Sequence, residues 1–558
     1  MTAAMDESLF LGRPVFQDAD IEQLHQEKGA GAAWQVAYAR HGHKAALAAR
    51  GSFAVAFSPR PGTTYLAVDR FARSTMCYRL EGNSFSYSGR ADTLTKGEKP
   101  EIEPQALFDY FHFHVIPAPR TIFRNVWRLP AAHYALFEAG RLTVAPYWTP
   151  RFNELDQPSF SALREEFLHL LEEAVREQMS GQKVGCYLSG GTDSSTVAGM
   201  VRKVSGEAAE TYSIGFEAEG YDEMAYARIA ARHFGTRHHE YYVTPEDLVE
   251  SIPKVAAYYD QPFGNSSALP GYCCARFGRE DGIVHMLAGD GGDELFGGNS
   301  RYAKQKIFDA YGALPSMLRT GVLEPLVPVF NRIPGLSKAG SYVTQARVPM
   351  PQRLSLYGLL DRLGAEAVFP PALLASFDPG APQRQEQAVW NEAGSSSLVN
   401  HMLAFDWRYT LADNDLPKVC GTAALAGVTV GFPLLDERLL DFSLKLPSSY
   451  KVKGFKLRWF FKEALRGFLP DEILVKKKHG FGLPFGVWVT RHEGLRRLAE
   501  SSVRGLADRG LVRHEFIDTL LTRQLPAHPG YYGEMVWIMM MLEQWFISRA
   551  GWMQAPPE

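Results

Sequence analysis

Short apolar runs and longer amphipathic stretches are unevenly distributed along this chain. Up to about residue 150 the runs are strand-like. Residues 51–57 (GSFAVAF) and 64–68 (TYLAV) flank a Pro/Gly turn at 59–62, and residues 83–88 and 132–137 repeat the pattern. A polar, proline-bearing break at 148–158 reads as a linker. Apolar positions then recur at helical spacing over 160–179. Beyond them, predicted strands at 184–188, 211–216, 240–243 and 284–287 alternate with helical stretches such as 223–234. That alternation predicts a doubly wound parallel sheet with helices on both faces. Residues 300–410 read as helices broken by proline, helices dominate 410–550, and the tail 554–558 reads as loose. The expected organisation is α/β, with a β-rich domain over 1–150 and a parallel-sheet domain with helical extensions over 160–550.

Composition narrows the function classes. The 558 residues are 46% hydrophobic and 22% charged, which are globular values. Net charge is −3, and no Lys/Arg run is interleaved with aromatics, so nucleic acid is not an expected partner. No run of 18 apolar residues occurs, so neither a membrane span nor a membrane partner is expected. Cys77, Cys186, Cys273, Cys274 and Cys420 form no paired framework and no C-x-x-C, which fits reduced thiols. The start, MTAAMDESLF, lacks the basic and apolar regions of a signal peptide, so a cytoplasmic soluble protein is expected.

The segment SGGTDSS, residues 189–195, carries the most chemistry. It follows an apolar run and opens into a helix start, so backbone N–H groups and the helix dipole favour an anion there. Gly190 and Gly191 let the main chain approach a phosphate, Ser189, Ser194 and Ser195 add hydroxyl donors, and Asp193 offers a metal ligand. The lysine of a G-x-x-x-x-G-K-[ST] loop is missing. SGGxDS instead resembles the pyrophosphate loop of ATP pyrophosphatases, which cleave ATP between the α- and β-phosphates and leave AMP. A second glycine-rich stretch, AGDGGDELFGG at 288–298, follows another predicted strand and shares the carboxyl edge of the sheet, where nucleotides bind.

Several separated segments, in order, resemble the asparagine synthetase family. They are SGGTDSS, YSIGF with Tyr221-Asp222-Glu223, DQPF at 260–263, AGDGGDELFGG, FPLLD at 432–436 and LPDEILVKKKHGFGLPFG at 469–486. The resemblance implies ATP and Mg²⁺ as cofactors, adenylation of a carboxylate, and displacement of AMP by an amine. It implies that Asp193 and Asp293 share Mg²⁺ on the pyrophosphate. Ser189, Gly190, Gly191, Ser194 and Ser195 would cradle phosphate oxygens, and Leu188, Ile214 and Gly289 would flank the adenosine. Lys478, in Lys-His-Gly-Phe, would stabilise charge on the α-phosphate and the tetrahedral intermediate. Asp290 occupies the position of an acidic residue near the reacting carbonyl. A tyrosine there marks the related β-lactam synthetases, so Asp290 leans towards intermolecular amide formation.

Departures from the family pattern shape the expectation further. The first 150 residues resemble the family's Ntn-hydrolase-type glutaminase domain only in their later half. That enzyme needs an N-terminal cysteine as nucleophile. Here Met1 is followed by Thr2, and Cys77 is the first cysteine, so a degenerate domain without glutaminase activity is expected. The family carries Asp-Arg near Cys420-Gly421 and Glu-x-Arg near residues 429–431. Their loss points away from free aspartate and towards a larger or less charged acid, a small molecule or a peptide. Asp413 and Asp415 read either as assisting groups or as solvated charge. His112 and His114 read as alternating on a strand or lying in a loop, and with His238 and His239 as structural histidines. Three readings compete. The first is an amide ligase using ammonia, an amine or nitrogen delivered by a partner. The second is a cyclase of the β-lactam or lasso-peptide kind, and the third a non-catalytic nucleotide-binding scaffold.

Overall fold

A computed structural model describes residues 8–95, 100–179, 183–333, 337–356, 358–476 and 482–550. Eight strands build the N-terminal part: β1 (Leu9–Phe16), β2 (Ala49–Arg60), β3 (Thr63–Val68), β4 (Cys77–Glu81), β5 (Ser84–Ser88), β6 (Val126–Arg128), β7 (His133–Glu138) and β8 (Arg141–Pro146). They form an antiparallel sheet in the order β1-β2-β3-β7-β8 and a smaller one in the order β5-β4-β6. The period-2 alternation of β2 explains the layering. Phe53, Val55 and Phe57 face a cluster with Trp34, Ala37 and Tyr65. Ala54 and Ala56 face the smaller sheet, against Met76, Tyr78 and Phe85. Helices α1 (Ala19–Lys28) and α2 (Ala30–His41) cover the first of these faces.

Helix α3 (Pro104–Phe113) starts on Glu103, whose side chain accepts from the Gln105 N–H, with Pro104 at the first helical position. It corrects the strand-or-loop reading of the Phe-His-Phe-His alternation. His112 lies in its last turn, and His114 ends it in the left-handed region at φ 64°. Leu107, Phe108, Tyr110 and Phe111 join a core with the C-terminal helix Pro529–Ile547, in which residues 535–546 are all buried. The Tyr110 hydroxyl donates to the Ile538 carbonyl at 2.7 Å. A second tie is ionic: Arg128 donates to both Asp260 oxygens, at 2.9 and 2.7 Å, and the Ala91 N–H donates to the same carboxylate at 2.8 Å. The two parts of the chain therefore share one interior.

The second sheet is wholly parallel. Its strands β9 (Gly185–Tyr187), β10 (Glu210–Phe216), β11 (Arg237–Val243), β12 (His285–Leu287) and β13 (Thr429–Gly431) lie in the order β11-β10-β9-β12-β13. The four expected strands are present, and β13 extends the sheet beyond them. Helices α4 (Phe160–Met179), α5 (Thr192–Ser205) and α6 (Met224–Phe234) cover one face. Helices α7 (Pro245–Tyr258) and α8 (Ala268–Glu280) cover the other. The chain leaves β9 towards β10 on one side and returns through β12 on the other, so the carboxyl ends of these two strands are the switch point of the sheet, where a crevice is expected.

The stretch read as a linker is strapped down. Phe152 is buried 5.6 Å from the Trp407 ring, and the Leu155 N–H donates to the Lys445 carbonyl at 2.9 Å. Among the described residues no helix is long and apolar enough to cross a membrane.

Candidate active site

The crevice is built by two interlocked glycine loops. The first leaves β9 through Leu188–Gly191 and enters α5. Gly190 has φ +67°, and a Cβ there would stand 2.3 Å from the Ala227 nitrogen, so only glycine fits. Gly191 is the N-cap of α5, which turns the unpaired N–H groups of the first helical turn towards the loop. Ser194 Oγ knits the turn together. It accepts from the Ser189 N–H at 3.2 Å and lies 3.1 Å from Ser189 Oγ and 3.3 Å from the Gly191 carbonyl. Ser195, in the first turn of α5, is fully buried. Leu188 is buried too, and its backbone is anchored by the Tyr212 carbonyl at 2.9 Å and by the Ser213 hydroxyl. Ile214 stands half-buried on the neighbouring β10.

The second loop leaves β12 and enters α9 (Gly292–Phe296). It presses on the first. A Cβ at Gly289 would lie 2.7 Å from the Ser194 nitrogen, and one at Gly292 would lie 2.4 Å from Asp193 Oδ1. Gly289 and Gly292 thus make room for the partner loop. Asp193 and Asp293 are thereby brought to one point. Nη1 of Arg458 sits 2.6 Å from Asp193 Oδ2 and 2.9 Å from Asp293 Oδ1. Arg458 is buried, holds φ +52°, and is pinned by its N–H on the Gly297 carbonyl at 3.1 Å. Burial works against its charge, but the two carboxylates outweigh this and hold it strongly cationic.

Two convergent carboxylates form an all-oxygen donor set of the kind magnesium takes. In this structure a guanidinium shows that the point holds positive charge. Among the described residues no group of three or more His, Cys, Asp or Glu side chains converges. A magnesium ion here would take two ligands from the chain and the rest of its shell from phosphate oxygens and water.

Asp290 lies on the same loop. It is half-buried, and burial pushes its carboxyl up to about 6 against the pull of Lys418. Lys418 donates to Asp415 at 2.8 Å. Burial opposes the charge of Lys418, and Asp415 and Asp290 more than restore it. Asp415 therefore belongs to the crevice as the partner of a lysine. Asp413 does not. It pairs with Arg408 at 3.3 Å and accepts the Ala118 N–H at 3.3 Å, so it ties the N-terminal part to the helices. His238 lies 3.1 Å from Thr211 Oγ1 and His239 2.9 Å from Glu210, both away from the glycine loops.

Lys478 lies outside the described residues. Two positions earlier, Lys476 reaches the first loop, with Nζ 3.4 Å from the Gly190 carbonyl, 3.2 Å from Glu223 and 4.5 Å above the Tyr226 ring. Sequence reasoning missed Arg458, Lys476 and Lys418 as site residues. Only Lys476 had a local signal, its adjacency to the K-x-G-F stretch.

A parallel sheet with a serine-glycine anion loop at its switch point, facing a second carboxylate-bearing loop, defines a nucleotide-handling synthetase. The β-rich domain docked on it has the two-sheet form of an amidotransferase domain. The comparisons make this specific: the asparagine synthase family profile matches residues 166–547, and a glutamine amidotransferase domain profile matches residues 34–148. The chain belongs to the asparagine synthase family, a family of ATP-dependent amide ligases. It is 25% identical over 476 residues to asparagine synthetase [glutamine-hydrolyzing] 1 of Bacillus subtilis, covering 83% of this chain and 73% of that one. It is 33% identical over 289 residues to putative asparagine synthetase [glutamine-hydrolyzing] 2 of Methanocaldococcus jannaschii, covering 50% of this chain and 55% of that one. It is 24% identical over 490 residues to amidase chry2 of Gibberella zeae, covering 79% of this chain and 70% of that one. The matched regions thus span about half to three quarters of these relatives.

Proposed function

We propose that this chain is an AMP-forming amide ligase that adenylates a carboxylic acid and transfers the acyl group to ammonia or an amine, without hydrolysing glutamine itself. The convergence of Asp193 and Asp293 beside the N-terminus of α5 carries the reading. The loop N–H groups and the Ser189 and Ser194 hydroxyls bind the β- and γ-phosphates of ATP. Mg²⁺ held by Asp193 and Asp293 would supply positive charge against the departing pyrophosphate. Lys476, on the rim of the loop, adds a cation beside the phosphates. The acid's carboxylate attacks the α-phosphorus and pyrophosphate leaves. In the second step the amine must lose a proton, and Asp290 accepts it. A carboxyl near 6 is ionised at neutral pH and basic enough for that task.

Two observations support the narrower parts of the proposal. The one cysteine of the N-terminal domain, Cys77, is fully buried, and burial pushes its thiol up to about 11, so it is no nucleophile. At Gly421 and Gly431, near which the family carries arginines, a Cβ would lie 2.6 Å from the Tyr259 ring and 2.5 Å from Gln178 Oε1. This chain's own side chains fill both places, which favours an acid other than free aspartate.

The test is substitution of the two carboxylates. Asp193→Asn and Asp293→Asn are each expected to abolish pyrophosphate release from ATP, assayed against a panel of carboxylic acids, while circular dichroism stays unchanged. Wild-type turnover in either variant removes the metal assignment. Glutamate release from glutamine by the purified chain overturns the claim that it has no glutaminase.

A further inference from the structure

The glycine loop of Asp293 leads into α10 (Ser300–Gly312) and then into helical pieces at Ser316–Leu318, Arg319–Leu323 and Val327–Arg332, followed by Ser337–Arg347. The first three pieces present their apolar side chains to solvent. Met317 is 85% exposed, and Leu318, Val322, Leu326, Val329 and Ile333 are 38–47% exposed. These six are close to half of the fourteen exposed large apolar side chains among the described residues, and they fall within seventeen positions, so they cluster rather than scatter. From Leu318 onward the spacing is four, four, three and four residues, which in a regular helix is one face and here runs through a π-helical piece at Arg319–Leu323 and a turn at 324–326. A helix of a globular domain turns that face to the core, but no described side chain between 311 and 333 is buried.

The charge around the stripe selects the partner. Residues 316–347 contain four Lys or Arg against one Asp or Glu, in a chain with 59 against 62 overall. The one acid, Glu324, is neutralised by Arg347 at 3.4 Å and accepts the Tyr311 hydroxyl at 2.9 Å. Arg332 and Lys338 are exposed, and Arg319 stands beside the stripe. An apolar stripe alone would suit any apolar surface. A stripe flanked by an excess of cations is complementary to an apolar layer edged with negative charge, which is an anionic lipid surface.

We propose that the helical pieces within 316–333, with Lys338 beyond them, dock this protein peripherally on anionic membranes. The stripe Leu318–Val322–Leu326–Val329–Ile333 lies in the headgroup boundary, and Arg319, Arg332 and Lys338 contact lipid phosphates. The segment lies on the bilayer and does not cross it. This departs from the expectation of no membrane partner, which rested on the lack of an 18-residue apolar run and does not bear on interfacial helices. The proposal is independent of the ligase reading.

The full chain is to be sedimented with vesicles of phosphatidylcholine alone and of phosphatidylcholine containing phosphatidylglycerol. Binding is expected only to the anionic vesicles, and it is expected to weaken steeply from about 0.05 M to about 0.5 M salt. Arg332→Gln with Lys338→Gln is expected to weaken it by roughly fivefold per cation removed. Leu318→Ser with Val322→Ser and Val329→Ser is expected to abolish it. Both variants should melt like the parent, because none of these side chains is buried. No sedimentation with anionic vesicles at low salt overturns the proposal, as does binding that both variants retain. Analytical ultracentrifugation covers the other occupant: a dimer lost on the triple serine variant, with no vesicle binding by the parent, assigns the stripe to a second copy of the chain and also overturns it.

Discussion

Replacing Gly292 with alanine isolates the geometry on which the site depends. The backbone at 292 is that of an ordinary first helical residue, and alanine is a better helix former than glycine, so local stability should not suffer. The damage is steric. The new Cβ would stand 2.4 Å from Asp193 Oδ1 and 2.6 Å from Cγ, where ordinary contact begins at 3.4 Å. Asp193 must retreat by about 1 Å, or the two loops must part by that much. A displacement of that size at a reacting centre costs about a hundredfold, or about 2.7 kcal/mol. Asp193 then no longer shares a point with Asp293. The assay is calorimetric titration of ATP with Mg²⁺, paired with thermal melting of the unliganded protein. The expected result is affinity lowered by ten- to a hundredfold, on the order of 1–3 kcal/mol, with an unchanged melting temperature. Gly312→Ala serves as control, because nothing lies within 4 Å of a Cβ there. Parental affinity in Gly292→Ala refutes the claim that loop contact positions Asp193.

Two further outcomes follow from charge. The amide-forming step should rise with pH through an apparent pKa near 6, because Asp290 must be ionised to accept a proton and burial raises it to about 6. In Asp290→Asn that limb should vanish, and the rate should fall by about 10²–10⁴-fold in a pH profile of amide formation. Arg128→Met should leave Asp260 charged between the two parts of the chain and cost about 3–5 kcal/mol in denaturant melts. Burial works against the Asp260 charge, but Arg128 outweighs it and holds the carboxyl below its usual range. The contribution of the pair is therefore present at neutral pH and lost as acid takes the pH down through the lowered value.

What was legible in the sequence followed from burial. Strands β9, β10 and β12 are covered on both faces, so each is a short apolar run, and the glycine loops after them announce themselves by composition. Strand β1 was not legible. LFLGRPVF carries Gly12 and Pro14, and a Cβ at Gly12 would meet the Ser52 carbonyl of β2, a contact that only pairing in three dimensions reveals. The helix α3 was misread because alternating Phe and His imitates a strand. The signal that mattered was Glu103-Pro104, a cap followed by proline. Arg458 lies more than 150 residues from either aspartate it joins, and no local periodicity marks it. The placement of Asp413 and Asp415 depended on which neighbours they met, Arg408 and Ala118 for one and Lys418 for the other.

The most direct test of the whole account is to follow ATP labelled at the α-phosphate in a reaction with the acid that supports turnover, with ammonium or an amine present. AMP and pyrophosphate, formed in equal amounts with the amide, are the predicted products. ADP and orthophosphate would contradict the account, because the proposed reaction has pyrophosphate leave between the paired loops.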